Sequence, residues 1–256
     1  MGIVASRIKD TVVPPNSLGI VWLAQAGFVL KTPAGSVIYV DPYLSDCVER
    51  IAGFKRLMLT PVTADEVEAD AVASTHSHPD HLDVDALPTI ASKARTQFVG
   101  AEDCLAGYRD AGIADETISL LREGQTWAFR DVLVTGVYAD HGRLAPHAIG
   151  LLFEASGVRV WILGDTAYRP EHWRSVFEKG VDVVVPPING AFGNLTAVEA
   201  AKAVHQARAK VAIPCHFWMF AEHNGDPGSF VRACHAHAPE VQPVLLTQGE
   251  VFVYTK

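Results

Sequence analysis

Residues 75–83 read Thr75-His76-Ser77-His78-Pro79-Asp80-His81-Leu82-Asp83 and follow directly on the apolar run 69–74. A run that short reads as a buried strand. Three imidazoles and two carboxylates at its end must then lie on a loop at a sheet edge, where they can be used. Neutral imidazole suits borderline divalent metals, and carboxylate adds anionic character. His76 and His78 are two residues apart and can face one point. Asp80 and His81 are adjacent, diverge, and serve a second point. The string therefore predicts two metal positions that share one site.

The rest of the chain has to supply a scaffold and the missing ligands. With 256 residues, 49% hydrophobic and 20% charged, it has enough apolar material for a sizeable core. No linker or low-complexity segment divides it, so residues 1–256 are expected to be a single domain. Strand-like segments fall at 20–23, 28–30, 36–40, 96–100, 126–138, 149–155, 158–163, 181–185 and 210–214. Helical patterns fall at 85–91, 101–111, 171–179, 196–209 and 228–237. Thr196 and Glu199 form a capping box at the start of the fourth. Residues 1–17 read as a lead-in to a turn, 47–68 as a loop or lid, and 243–254 as two closing strands. Strands and helices that alternate in this way predict α/β layers in two similar halves.

Three further candidates sit where strands end: His141, Asp165 and His216. Strand ends on one edge of a sheet converge in space. His76, His78 and His141 would surround one metal, and Asp80, His81 and His216 the other. Asp165 could bridge both with its two oxygens. Asp41, after the strand 36–40, is either a carboxylate that orients a ligand histidine or a turn cap. His147 and His223 lie near ligand loops and are further candidates for the pocket. The other histidines default to surface or helix positions.

Composition also narrows the partners. The net charge of −8, with no run of Lys or Arg, disfavours nucleic acid. The scattered Cys47, Cys104, Cys215 and Cys234 contain no C-x-x-C pair, which argues against a thiolate zinc site or a disulfide framework. A reducing cytoplasm is the expected setting. No apolar run reaches transmembrane length, and there is no signal-peptide core. Met1-Gly2-Ile3-Val4-Ala5-Ser6 matches the short myristoylation pattern, which is common by chance. A small-molecule substrate is expected, and homo-oligomers remain open.

The sequence resembles the metallo-β-lactamase superfamily over nearly its whole length, and within it the ascorbate-6-phosphate lactonase-like branch. The matching pieces are Trp22-Leu23 through Gly27-Phe28, Asp41-Pro42-Tyr43, the H-S-H-P-D-H-L-D string, Ala139-Asp140-His141-Gly142, Gly164-Asp165-Thr166, Ile213-Pro214-Cys215-His216 and the segment from His223 to Asp226-Pro227. The resemblance implies a four-layer αβ/βα sandwich, a site on one edge of the paired sheets, and metal roles at His76, His78, Asp80, His81, His141, Asp165 and His216. It tilts the metal towards manganese, whereas imidazole ligands alone suit zinc. The branch carries a basic residue in the loop after the strand 181–185. Here that loop, residues 189–194, has no Arg or Lys. Di-iron members carry Glu where this chain has His78.

Hydrolysis of a small cyclic ester is the leading expectation. Two divalent ions, Mn²⁺ or Zn²⁺, would acidify a water and polarise the carbonyl. Asp80 would take its proton and pass it to the leaving alkoxide. A phosphodiester at the same site is the alternative. A metal-stabilised binding or sensing domain is a third reading, from another class. The substrate pocket is expected from residues 43–46, Tyr168 and residues 189–194, with Tyr168 and Asn189 as candidates to bind substrate. The alternative for Tyr168 is packing at a helix start, and for Asn189 a turn residue.

Overall fold

The computed structural model describes residues 2–93 and 95–256. Met1, where the myristoylation pattern begins, lies outside them. The strands are β1 Ser17–Ala24, β2 Gly27–Lys31, β3 Val37–Val40, β4 Ala71–Ser74, β5 Gln97–Ala101, β6 Ile118–Leu121, β7 Thr126–Phe129, β8 Val132–Tyr138, β9 Ile149–Ala155, β10 Val158–Ile162, β11 Val183–Val185, β12 Val211–Ala212, β13 Gln242–Pro243 and β14 Val251–Thr255. The helices are α1 Ile3–Asp10, α2 Cys47–Ala52, α3 Leu87–Ala91, α4 Cys104–Asp110, α5 Arg174–Lys179, α6 Ala197–Gln206 and α7 Pro227–His237.

The strands form two seven-stranded sheets, ordered β14-β1-β2-β3-β4-β5-β6 and β13-β12-β11-β10-β9-β8-β7. Each holds three antiparallel pairings followed by three parallel ones. In the first sheet the change falls at β3, between β2/β3 and β3/β4. In the second it falls at β10, between β9/β10 and β10/β11. The two halves therefore repeat one topology, with β14 standing where β7 stands in the other sheet.

All eight residues of β1 are buried. A sheet covered on both faces hides both sets of alternating side chains. Helices cover the outer faces: Tyr108 of α4 packs on Phe98 of β5, and Trp161 of β10 meets Trp173 and Phe177 at α5. The result is the four-layer αβ/βα sandwich, with one contiguous hydrophobic core running through both halves.

Several local expectations need correcting. Residues 3–10 are a helix, not an irregular lead-in, because Ala5 and Ile8 bury one face while Arg7, Lys9 and Asp10 stay exposed. Residues 47–68 contain α2 and a 3-10 turn, Ala64–Glu66, that is closed by a Thr63/Glu66 capping box. The single strand expected over 126–138 is the hairpin β7–β8, which turns at Arg130 with φ +51°. The two closing strands, expected over 243–254, lie in different sheets. β13 adds to β12 in the second sheet and β14 to β1 in the first. The capping box of α6 forms as expected, with Thr196 N donating to Glu199 Oε2 at 2.9 Å.

Candidate metal centre

The site lies where β3, β4, β8, β10 and β12 end and β1 turns into β2. β4 runs out at Ser74, and the next residues form an irregular loop whose backbone is pinned by Asp83. Its Oδ2 accepts from Leu44 N and Ser45 N, both at 2.7 Å, and its Oδ1 from Ser45 Oγ at 2.6 Å. Asp83 therefore ties the histidine loop to the loop after β3 and points away from the imidazoles. Thr75 anchors the start of the loop: its N–H and hydroxyl donate to Asp41 at 2.8 and 2.6 Å.

Two groups of potential ligands result. Within each, one ligand atom per residue lies inside 4.8 Å of the others: His76, His78, His141 and Asp165 in the first, Asp80, His81 and His216 in the second. His76 Nε2 and His78 Nδ1 are 2.9 Å apart, and His81 Nε2 and His216 Nε2 are 3.3 Å apart. Asp165 stands between the groups. Its Oδ2 lies 3.5 Å from His141 Nε2, while its Oδ1 lies 3.1 Å from His216 Nε2 and 3.4 Å from His81 Nε2. One oxygen faces each group, which is the arrangement that a bridging carboxylate requires.

These residues fit metal ions for a physical reason. His81 Nδ1–H donates to Asp41 Oδ2 at 2.8 Å, so the Nε2 of its neutral form carries a lone pair aimed at the Asp80 and Asp165 carboxylates. Lone pairs and anionic oxygens that converge in a buried place need a cation between them. Asp165 Oδ1 is buried without a hydrogen bond, as are His141 Nδ1 and His216 Nδ1.

Electrostatics report the same demand. Burial would lower His216, but the carboxylates of Asp165 and Asp80 outweigh it and push it up to about 9. Burial is likewise overcome at His81, which Asp165, Asp80 and Asp41 raise well above the ordinary imidazole range. His76 goes the other way. Its burial and the charge on His81 hold it well below that range, as a neutral ligand requires. Burial lowers His141 too. Asp80 is held well below the usual carboxylate range, because His81 and His216 outweigh its burial.

Asp41, left open between two roles, makes the contacts of both. It orients His81 and caps the backbone at Thr75. It does so from the left-handed region, with φ +44°, a conformation costly for a side-chain-bearing residue. His216 shares that strain at φ +62°.

Gln25 was not singled out in the sequence. It is fully buried in the β1–β2 turn, with φ +49°. Its Nε2 donates to Asp80 Oδ2 at 2.8 Å and lies 3.1 Å from His216 Nε2 and 3.4 Å from His223 Nδ1. Its backbone carbonyl accepts from Trp22 Nε1 and from His216 N. The available signal was a lone polar residue inside the apolar run from Ile20 to Leu30.

A cavity of about 300 Å³ opens onto the two groups. His78, Asp80, His141, Asp165 and His216 lie on its floor, and Val48, Ala52, Phe54, Leu144, Phe192 and Phe220 form its walls, with His223. His223 stacks on His216 with ring centroids 4.8 Å apart, and burial pushes it down to about 4.

The expected substrate residues are placed elsewhere. The Tyr168 phenol donates to Gln206 Oε1 at 3.0 Å, and its ring packs edge-on against Trp173. It joins α6 to the region before α5 and does not reach over the ligands. Asn189 is buried, donates to Ala191 O at 3.2 Å and shapes its own turn. From residues 189–194 it is Phe192 that reaches the cavity. Tyr43 lies beneath Arg56, 4.3 Å from the guanidinium, and the wall expected from residues 43–46 comes instead from α2 and Phe54. His147 faces Glu102 outside the cavity.

A two-sheet αβ/βα sandwich with imidazoles and carboxylates gathered at one edge defines a class of metal-dependent hydrolases. Residues 19–216 match the family model described as the Beta-lactamase superfamily domain. The chain belongs to the metallo-β-lactamase superfamily of hydrolases. It is 28% identical to a UPF0173 metal-dependent hydrolase of Polynucleobacter asymbioticus, over 90% of this chain and 84% of that protein. It is 23% identical to the probable L-ascorbate-6-phosphate lactonase UlaG of Escherichia coli O127:H6, over 86% of this chain and 75% of that one. Among solved structures, Igni18, a metallo hydrolase from Ignicoccus hospitalis, superposes with a TM-score of 0.77 at 19% identity, covering 94% of this chain and 99% of that one. No helix among the described residues is long and apolar enough to cross a membrane.

Proposed function

We propose that the protein hydrolyses a small cyclic ester at a dinuclear site of Mn²⁺ or Zn²⁺. The observation that carries this reading is the split of Asp165, one oxygen towards each ligand group, at the floor of a cavity. His76, His78 and His141 would hold one ion, Asp80, His81 and His216 the other. Such ions, when bound, supply an acidified water and polarise the carbonyl. The likeness to a probable lactonase supports the choice of reaction.

The chain's own contribution is positioning and proton handling. Asp41 fixes the His81 ring, so that Nε2 points into the site. Gln25 holds Asp80 Oδ2 at 2.8 Å, which sets the carboxylate at the cavity floor. In ring opening, water adds across the acyl carbon–oxygen bond. Hydroxide goes to the acyl carbon and the remaining proton passes, through Asp80, to the ring oxygen that leaves as an alcohol.

Metal analysis of protein purified without chelators, followed by a panel of lactones and chromogenic phosphodiesters, tests this. Two ions per chain and lactone turnover are expected. One ion or fewer at saturating metal, or turnover of the phosphodiesters alone, overturns it.

A further inference from the structure

Resting on that hydrolase reading, we infer that the substrate is uncharged and apolar: a lactone or ester whose ring or chain lies against Phe54, Phe192, Phe220 and His223. These four rings form one cluster over the metal ligands. Phe192 and His223 have centroids 5.3 Å apart, Phe220 and His223 5.0 Å, and Phe54 lies 6.0 Å from Phe192 and 6.1 Å from Phe220. Val48, Ala52 and Leu144 extend the apolar wall.

Two features of this wall point to an apolar occupant. Phe192 is 45% exposed and Leu144 55% exposed at the mouth, so apolar surface is left in water for a ligand to cover. Phe192 also holds a left-handed backbone, φ +54°, a costly conformation that fixes its ring at the mouth.

Charge points the same way. Among the described residues lining the cavity there is no Lys or Arg, and the ionised groups that do line it include the Asp80 and Asp165 carboxylates. Arg56, on the same loop as Phe54, is turned to Tyr43: it lies over that ring at 4.3 Å and donates to Tyr43 O at 2.9 Å. Away from the metal positions and the imidazoles, a phosphoryl or carboxylate group on the substrate would meet no Lys or Arg. An alkyl or aryl group would instead cover the apolar wall.

The test uses the metal-loaded protein and γ-lactones bearing side chains of increasing length, with a phosphorylated lactone beside them. Specificity, kcat/KM, should rise about fourfold per added methylene until the cavity is filled, mostly through KM. The phosphorylated lactone should fall below the unsubstituted ring. Phe192→Ser, at an exposed position, should flatten the series with metal content unchanged. The matching γ-lactams, followed by calorimetry, report binding without turnover and should show the same grading. Turnover of the bare ring with a flat series, or a preference for the phosphorylated lactone, overturns the inference and leaves the hydrolase reading standing. If no lactone is turned over, the cyclic-ester reading falls and lactam binding decides alone: graded affinity upholds the apolar site, and its absence overturns it.

Discussion

Individual side chains carry most of the chemistry, and their roles separate experimentally. His216 faces Asp80 and Asp165 at 3.4 and 3.1 Å, and its ring stacks on His81 and His223. His216→Ala should lower metal content towards one ion per chain and cut turnover by about 100-fold or more, with the circular dichroism of the fold unchanged; full turnover would remove it from the site. Asp41→Asn keeps the shape but not the charge that holds the His81 N–H. Metal affinity should fall about 10–100-fold, measured by competition with a chelator. Tyr168→Phe should leave kcat and KM alone and cost about 0.5–1.5 kcal/mol of stability, because its phenol serves Gln206 and not the cavity. A raised KM in that variant would return Tyr168 to the substrate.

At the scale of elements, the histidine loop depends on a carboxylate that touches no ligand. Asp83 gathers Leu44 N, Ser45 N and the Ser45 hydroxyl, and it caps the turn into α3 through Ala86 N at 3.0 Å. Asp83→Ala should cost about 2–3 kcal/mol in chemical denaturation, since buried donors lose a charged partner. It should also weaken metal binding, because the loop after β3 is then free to move Asp41. Unchanged stability would show that water replaces the carboxylate. α6 was legible from its cap, Thr196 with Glu199, whereas the cap of α7 emerged only in the structure: the Asp226 side chain accepts from Gly228 N and Ser229 N. α1 carries no side-chain cap, and its helical nature rests on burying Ala5 and Ile8 beneath the first sheet.

Across the whole molecule, both halves send residues to one site, so metal binding should couple to global stability. The first half supplies Asp41, His76, His78, Asp80 and His81, and the second supplies His141, Asp165 and His216. Chelation should lower the melting temperature, and restoring Mn²⁺ or Zn²⁺ should recover it. At a metal concentration 100 times the dissociation constant, the linkage is worth about 2.7 kcal/mol. Acidification should have the same effect as chelation, because protons compete for the imidazole nitrogens; metal content against pH checks the sign. A melting temperature indifferent to metal would mean that the halves dock without it.

What the sequence determined by itself is the set of groups and their order at strand ends. His76, His78, Asp80 and His81 are fixed relative to one another by spacing within one loop, and a buried run before each of His141, Asp165 and His216 marks where the chain must emerge. Such information is local, and local sequence holds it. Only the tertiary structure decided which groups meet across the halves. Asp165 faces both clusters because β10 lies beside β9 and β11, and Gln25 reaches Asp80 and His216 because the β1–β2 turn folds under both. Tyr168, three residues from a ligand, turns to α6 instead, while Phe54 and Phe220, distant in sequence, close one wall. The separation of β13 from β14 into different sheets has the same cause. Strand partners are chosen by the sheet edges left open after the rest has paired, and no spacing along the chain records those edges.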